Sequence, residues 1–206
     1  MNASCPQCGR NHIAQLDSTW IITCTNCKRL VHGDASITDA HCAMPDDWSA
    51  IQIGSKVMYQ DKLHSVLGRA RLQMKSDFLN LWCATYNGNE LWIGQSLEKI
   101  GFFDSAFSPY PTQKYKEPRA GLFIEFSEAI KLKCELVEEC VDIHFEGEMG
   151  RLPFHNNFLF IQANNVQGNT ALVFSASKER TEFLWGEIKL VGSIKFENTR
   201  QFNEWK

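Results

Sequence analysis

The chain has 206 residues, of which 44% are hydrophobic and 22% charged, a composition typical of globular proteins that excludes general disorder. The net charge of -3 argues against a protein that binds nucleic acid mainly through overall charge. No stretch approaches the ~20 apolar residues of a membrane-spanning helix. Residues 1–8 also lack the basic and apolar regions of a signal peptide, so we expect a cytoplasmic protein.

The first predicted element is a metal site formed by four cysteines. Cys5 and Cys8 form one pair and Cys24 and Cys27 another, with the spacing C-x2-C-x15-C-x2-C that is typical of structural zinc sites. Two intervening residues let a tight turn aim both sulfur atoms at one ion. We expect zinc, with iron as the minor alternative because a CPxCG sequence also occurs in iron sites. Four protein ligands leave no open position, so the ion is expected to be structural.

The flanking residues predict that each pair lies in a knuckle on a short hairpin. Gly9 is expected to adopt a positive φ, and Lys28 is expected to offset the charge of the thiolates. Residues 1–33 resemble the zinc-ribbon family, whose members bind nucleic acid, bind protein or brace a neighbouring domain. Three basic residues against one acidic residue give this segment too little charge to select nucleic acid, which stays an alternative.

The other four cysteines share no pattern and are interpreted as buried free thiols. They are Cys42, Cys83, Cys134 and Cys140.

Residues 34–49 are predicted to be a linker, with Trp48 packing back onto a core. Residues 50–206 are predicted to form an all-β domain, because long helical periodicity is nearly absent. Hairpin turns are expected at residues 60–62 and at Asn87-Gly88. Residues 96–107 are interpreted as a loop or a short helix.

A proline-rich connection near residues 108–119 is predicted to subdivide this domain. A weak similarity between residues 80–94 and 171–187 suggests two structurally similar halves. The predicted fold is therefore a small zinc ribbon joined to an antiparallel β-barrel or sandwich.

Residues 54–192 resemble the uncharacterised bacterial family called domain of unknown function 4178. The motifs that carry the resemblance follow the order of that family, with a shorter stretch between Glu148 and Pro153: they are Val66-Leu67-Gly68, Trp82 and Trp92, the acidic strand ELVEECVDIHFEGE, Pro153, and SKERTEFLWGE. The family has no established activity, and its members accompany membrane-stress and polyamine-synthesis genes. The resemblance implies a cytoplasmic accessory role in a bacterial membrane-stress response.

The acidic strand is the best candidate for a second site. Glu146 and Glu148 are two residues apart, so on a strand they share one face with His144. Together with Glu187 and Trp185 they form a candidate site for a cation or polyamine. The favoured interpretation is nevertheless a solvated strand face.

No nucleophile, phosphate-loop or dinucleotide motif is present in the sequence. Arg69, Arg71 and Lys75 are interpreted as solvated loop charges. We therefore predict a non-enzymatic accessory protein with structural zinc that engages a protein partner or a small ligand. The alternatives are an enzyme or cation/polyamine sensor that uses the acidic strand, and nucleic-acid binding through the ribbon.

Overall fold

The computed structural model describes the chain as antiparallel β-strands joined by tight turns. The described residues are 1–33, 42–95, 99–104, 118–125, 131–152, 158–177 and 180–201. No α-helix occurs in these ranges, so none there is long and apolar enough to cross a membrane. The predicted all-β class is confirmed. Pro153 lies outside the described residues, as do residues 34–41 of the predicted linker and most of the predicted boundary at 108–119.

Residues 1–33, which we call the N-terminal arm, form two short hairpins. Strands β1 (Asn2–Ser4) and β2 (Asn11–Ile13) make the first hairpin, and β3 (Ile21–Thr23) and β4 (Leu30–His32) make the second. Each strand has only three residues, which is too short for a hairpin to be stable by itself in water.

Eight further strands close into a barrel. Its first half is a four-stranded meander of β6 (Lys62–Met74), β7 (Phe78–Tyr86), β8 (Asn89–Gln95) and β9 (Lys99–Asp104). Its second half is a meander of β11 (Lys131–Met149), β12 (Phe158–Asn164), β13 (Asn169–Ser177) and β14 (Arg180–Leu190). The pairs β9–β14 and β6–β11 join the two halves, so the barrel has no open edge between them.

Three short strands flank the barrel. They are β5 (Lys56–Tyr59), β10 (Phe123–Glu125) and β15 (Phe196–Glu197). Strand β5 pairs with β6 and β15, while β10 pairs with the beginning of β11.

Both predicted hairpin turns are confirmed. Gln60 and Asp61 have φ angles of 48° and 59°, and Asn87 and Gly88 have φ angles of 53° and 82°. Positive φ at both central residues defines the type I′ turn, whose twist matches that of the adjoining strands.

The prediction for residues 96–107 was wrong, because Lys99–Asp104 is strand β9. Ile100 and Phe102 pack in a cluster outside the barrel, whereas Phe103 packs inside it. A strand that is buried on both faces lacks the polar alternation by which half-buried strands are identified.

Apolar side chains fill the barrel. The inner cluster includes Trp92, Phe103, Phe145, Phe160 and Phe174. One outer cluster covers β6–β9 on their other face, and a second covers β11–β14. The interior is therefore packed with side chains, as in other barrels of this size.

A buried ionic cluster lies on the outer face of β6 and β7. The guanidinium groups of Arg69 and Arg71 both contact the carboxylate of Asp47, and the amide of Asn80 donates to it at 3.0 Å. The interpretation of these arginines as solvated loop charges was wrong, since their side chains are 3% and 8% exposed on a central strand. Trp48 is 74% exposed, so its predicted packing onto a core was also wrong.

Candidate metal centre and its junction with the barrel

Each cysteine pair lies in a turn that joins the two strands of one hairpin of the arm. In the first turn the N–H of Cys5 donates to the carbonyl of Arg10 (2.9 Å), and the N–H of Gly9 donates to the carbonyl of Cys5 (3.0 Å). The same two bonds recur in the second turn, where Cys24 is the first cysteine (2.7 and 2.9 Å). Gly9 (φ 71°) and Lys28 (φ 59°) hold equivalent left-handed positions. The positive φ expected at Gly9 is confirmed, and the second turn requires it of a lysine.

The four sulfur atoms converge, each within 4.8 Å of the others. Two of these distances join one turn to the other: Cys5 to Cys27 at 3.4 Å and Cys8 to Cys24 at 3.6 Å. A tetrahedral ion with Zn–S bonds of about 2.3 Å has S···S separations of roughly 3.8 Å. The donor set and its dimensions therefore fit a four-thiolate metal site.

The surroundings of the thiols differ between positions. The backbone N–H of Arg10 donates to the sulfur of Cys8 and lowers the pKa of Cys8 to about 6. Burial raises the pKa of Cys27 to about 12. A divalent cation at the centre favours the thiolate form of all four ligands, so metal binding releases protons here.

Outside the arm, the described cysteines are buried, as the sequence predicts. They are Cys42, Cys83, Cys134 and Cys140.

Strand β3 of the arm continues the barrel sheet. It is registered antiparallel with Glu148 and Met149 at the end of β11. The N–H of Trp20 donates to the carbonyl of Met149 at 2.9 Å. Leu16 and Ile21 are 4% and 0% exposed and belong to the inner cluster of the barrel. The arm therefore covers one end of the barrel with its own apolar side chains.

Glu148 holds the loop between the two hairpins of the arm. Its carboxylate accepts hydrogen bonds from the N–H of Gln15 (2.9 and 3.0 Å to the two oxygens) and the N–H of Leu16 (2.9 Å). The hydroxyl of Thr19 lies 2.6 Å from one carboxylate oxygen. Glu148 is only 7% exposed, so these bonds replace its hydration.

Glu146 connects the second knuckle to the ionic cluster. Its two carboxylate oxygens pair with Lys28 at 2.9 Å and with Arg69 at 3.0 Å. Burial raises the pKa of Glu146, but the hydrogen bond from Lys28 and the charge of Arg69 outweigh this and lower it. The solvated-face interpretation thus fits the exposed residues Glu135 and Glu139 and does not fit Glu146 or Glu148.

The structure distributes the other candidate ligand residues over different parts of the barrel. Nε2 of His144 on β11 lies 3.3 Å from a carboxylate oxygen of Asp142. Trp185 and Glu187 lie on β14, whose partners are β9 and β13. Glu187 accepts a hydrogen bond from the hydroxyl of Tyr59 at 2.9 Å, and Trp185 packs against an outer cluster. A ligand-binding role for these residues stays a prediction.

A cleft of about 330 Å³ lies between the arm and the barrel. Junctions of this kind are frequent places for small-molecule binding. The lining includes His12, Ile13 and Thr25 from the arm, Ser65 and Val66 from the barrel, and Ile53 from the segment before β5. Apolar and polar side chains thus share one concave surface.

Sequence reasoning missed the docking role of residues 15–22. The sequence contains one signal of this docking. A 33-residue arm is too small to bury three large apolar side chains by itself, and it carries Leu16, Trp20 and Ile21. Their burial requires a neighbouring surface.

Comparison with known proteins gives no match to a family model, a curated protein or a solved structure. The resemblances to zinc ribbons and to the family called domain of unknown function 4178 therefore stay predictions.

Proposed function

We propose that the chain is a non-enzymatic binding protein whose N-terminal arm is held by a structural zinc ion. The observation that carries the proposal is the convergence of four cysteine sulfur atoms from two equivalent turns. Four protein ligands leave the ion no position for substrate, so its contribution is to folding. The filled barrel interior supports a role for the outer surface in recognition.

Metal analysis of the purified protein tests the first part of this proposal. We expect one zinc per chain by plasma mass spectrometry, and release of that zinc to 4-(2-pyridylazo)resorcinol after thiol modification. Cys8→Ser should lower the zinc content, whereas Cys134→Ser, which changes a buried cysteine outside the arm, should leave it unchanged. Protein that contains no stoichiometric metal, or contains iron instead, would contradict the assignment of zinc.

The cleft favours a small ligand as the molecule recognised, with a protein partner as the alternative. Its lining suits a compact molecule with an apolar body and a polar group that bonds to side chains such as Thr25 and Ser65. Ligand-observed NMR with a library of small amines, amides and alcohols should find binders that Ile13→Trp excludes. Ile13 lines the cleft, is 72% exposed and lies outside both cysteine turns, so this change blocks the cleft without altering the core or the metal site. Gln167→Trp, in an exposed turn outside the cleft, is the control; binders lost equally from both variants would argue against this site.

A further inference from the structure

The N-terminal arm has little core of its own. Its four strands have three residues each. Two of its buried apolar side chains, Leu16 and Ile21, belong to the barrel cluster. Internal order in the arm therefore depends on the four-thiolate site, while its apolar contacts depend on the barrel.

The contacts between arm and barrel lie beside the metal ligands in sequence. Thr23, next to Cys24, accepts a hydrogen bond from the N–H of Gly147 at 2.5 Å. Lys28, next to Cys27, pairs with Glu146. Fixing the second cysteine pair therefore also fixes the residues that meet the end of β11.

The surface under the arm is apolar and has backbone groups available for pairing. Trp20 packs its ring edge-on against Phe145, with centroids 6.4 Å apart. Met149, which is 0% exposed and is paired with Ile21 of the arm, belongs to the same inner cluster as Phe145. If the arm leaves, these side chains and the backbone of Met149 face solvent, and such a surface associates with other apolar or extended chains.

We propose that metal occupancy controls whether the N-terminal arm covers the end of the barrel, with Glu148 as the residue that holds the arm in place. The inference rests on the metal site proposed above and extends it. With metal bound, the arm is an ordered cap. Without metal, the arm detaches while the barrel, closed by its own eight strands, stays folded. The protein thereby links metal availability to the exposure of the apolar end of the barrel.

Hydrogen exchange measured by mass spectrometry tests this linkage in the full-length zinc-loaded protein. Chelation with 1,10-phenanthroline should speed exchange of residues 14–23 and 147–149 by at least roughly tenfold, because these segments contact each other across the junction. Strands β7, β12 and β13 should keep their protection. Added zinc should restore protection, and the fluorescence of 1-anilinonaphthalene-8-sulfonate should rise on chelation and fall on restoration. Unchanged exchange at 147–149, or simultaneous loss of protection across the barrel, would overturn the proposal.

Two variants separate the role of Glu148 from that of the metal. Glu148→Gln leaves every cysteine in place, so this variant should still bind one zinc. Because the arm loop loses its carboxylate acceptor, residues 14–23 should nevertheless exchange faster than in the wild type. Glu139→Gln, which also removes a paired carboxylate on β11, should behave as the wild type. Wild-type exchange in Glu148→Gln would refute its assigned role. Absence of zinc from the wild type would instead refute the proposed function, so the two failures are distinguishable.

Discussion

Replacing Asp47 with asparagine should destabilise the protein strongly although Asp47 lies outside every strand. Its side chain is 1% exposed and contacts the guanidinium groups of Arg69 and Arg71, which are themselves buried. Asparagine keeps the size of the side chain and removes the charge. Breaking a buried ion pair in this way costs about 3–5 kcal/mol, because a charge is left without its partner. For a chain of this length, each kcal/mol lowers the melting temperature by about 2–4 °C, so a decrease of roughly 10 °C is expected.

Thermal and urea unfolding of zinc-loaded protein, followed by circular dichroism, measure this loss. Asp46→Asn is the matched control, since Asp46 is the exposed neighbour of Asp47. Its free energy of unfolding should stay within about 0.5 kcal/mol of the wild-type value. Adding Arg71→Met to Asp47→Asn should recover part of the loss, because one uncompensated charge is then removed. Equal free energies of unfolding for Asp47→Asn and Asp46→Asn would refute the claim that the buried ionic cluster depends on Asp47.

Three other predictions concern ionisation, backbone conformation and thiol access. Lys28 and Arg69 hold the pKa of Glu146 below its ordinary value of 4.5, despite the burial of this carboxylate. The ionised carboxylate therefore contributes its full stabilisation of the folded state above pH 4.5. This contribution is lost as the pH falls through the lowered pKa. The deficit of Glu146→Gln in urea unfolding should therefore be largest near pH 7 and vanish in acid; a constant deficit would contradict this. Gly9→Ala should cost only about 1 kcal/mol, since φ is positive but no atom lies within 4 Å of the new Cβ. Gly68→Ala should prevent stable folding, because its Cβ would lie 2.2 Å from a backbone carbonyl oxygen; similar urea midpoints for the two alanine variants would contradict this. Titration with Ellman's reagent should show four additional reactive thiols after chelation, those of the N-terminal arm. The four cysteines outside the arm are buried and should react only in denaturant. Eight reactive thiols before denaturation would contradict this prediction.

The parts of the structure that depend on short stretches of sequence could be predicted. Two residues between Cys5 and Cys8 fix the geometry of a knuckle locally, and the pair at Asn87-Gly88 adopts a turn that few other residues allow. These features need no information from distant residues. The convergence of the four cysteines and both hairpin turns could therefore be predicted from the sequence.

Features that depend on distant pairing could not be predicted. Arg69 and Arg71 alternate with apolar residues along β6, but their counter-charge comes from Asp47 on a separate segment. From the sequence alone, Glu148 resembles a solvated strand residue, because its hydrogen-bond donor, the N–H of Gln15, lies in a distant loop. In both cases the sequence shows a charged side chain that needs a partner, but only the tertiary fold determines which residue that partner is.

The long separation between the arm and its docking strand has a consequence for biosynthesis. Gln15 and Glu148 are 133 residues apart, so a ribosome finishes all four cysteines of the candidate metal site well before it makes the strand that contacts the arm. If the proposed ion binds, a nascent arm could acquire it while its apolar residues still lack a partner. Pairing of β11 with β6 then forms the surface that receives the arm, and pairing of β14 with β9 completes the barrel. Under the proposed function, metal binding and docking of the arm would therefore be separate events, and scarcity of the ion during synthesis would affect the arm before the barrel has formed.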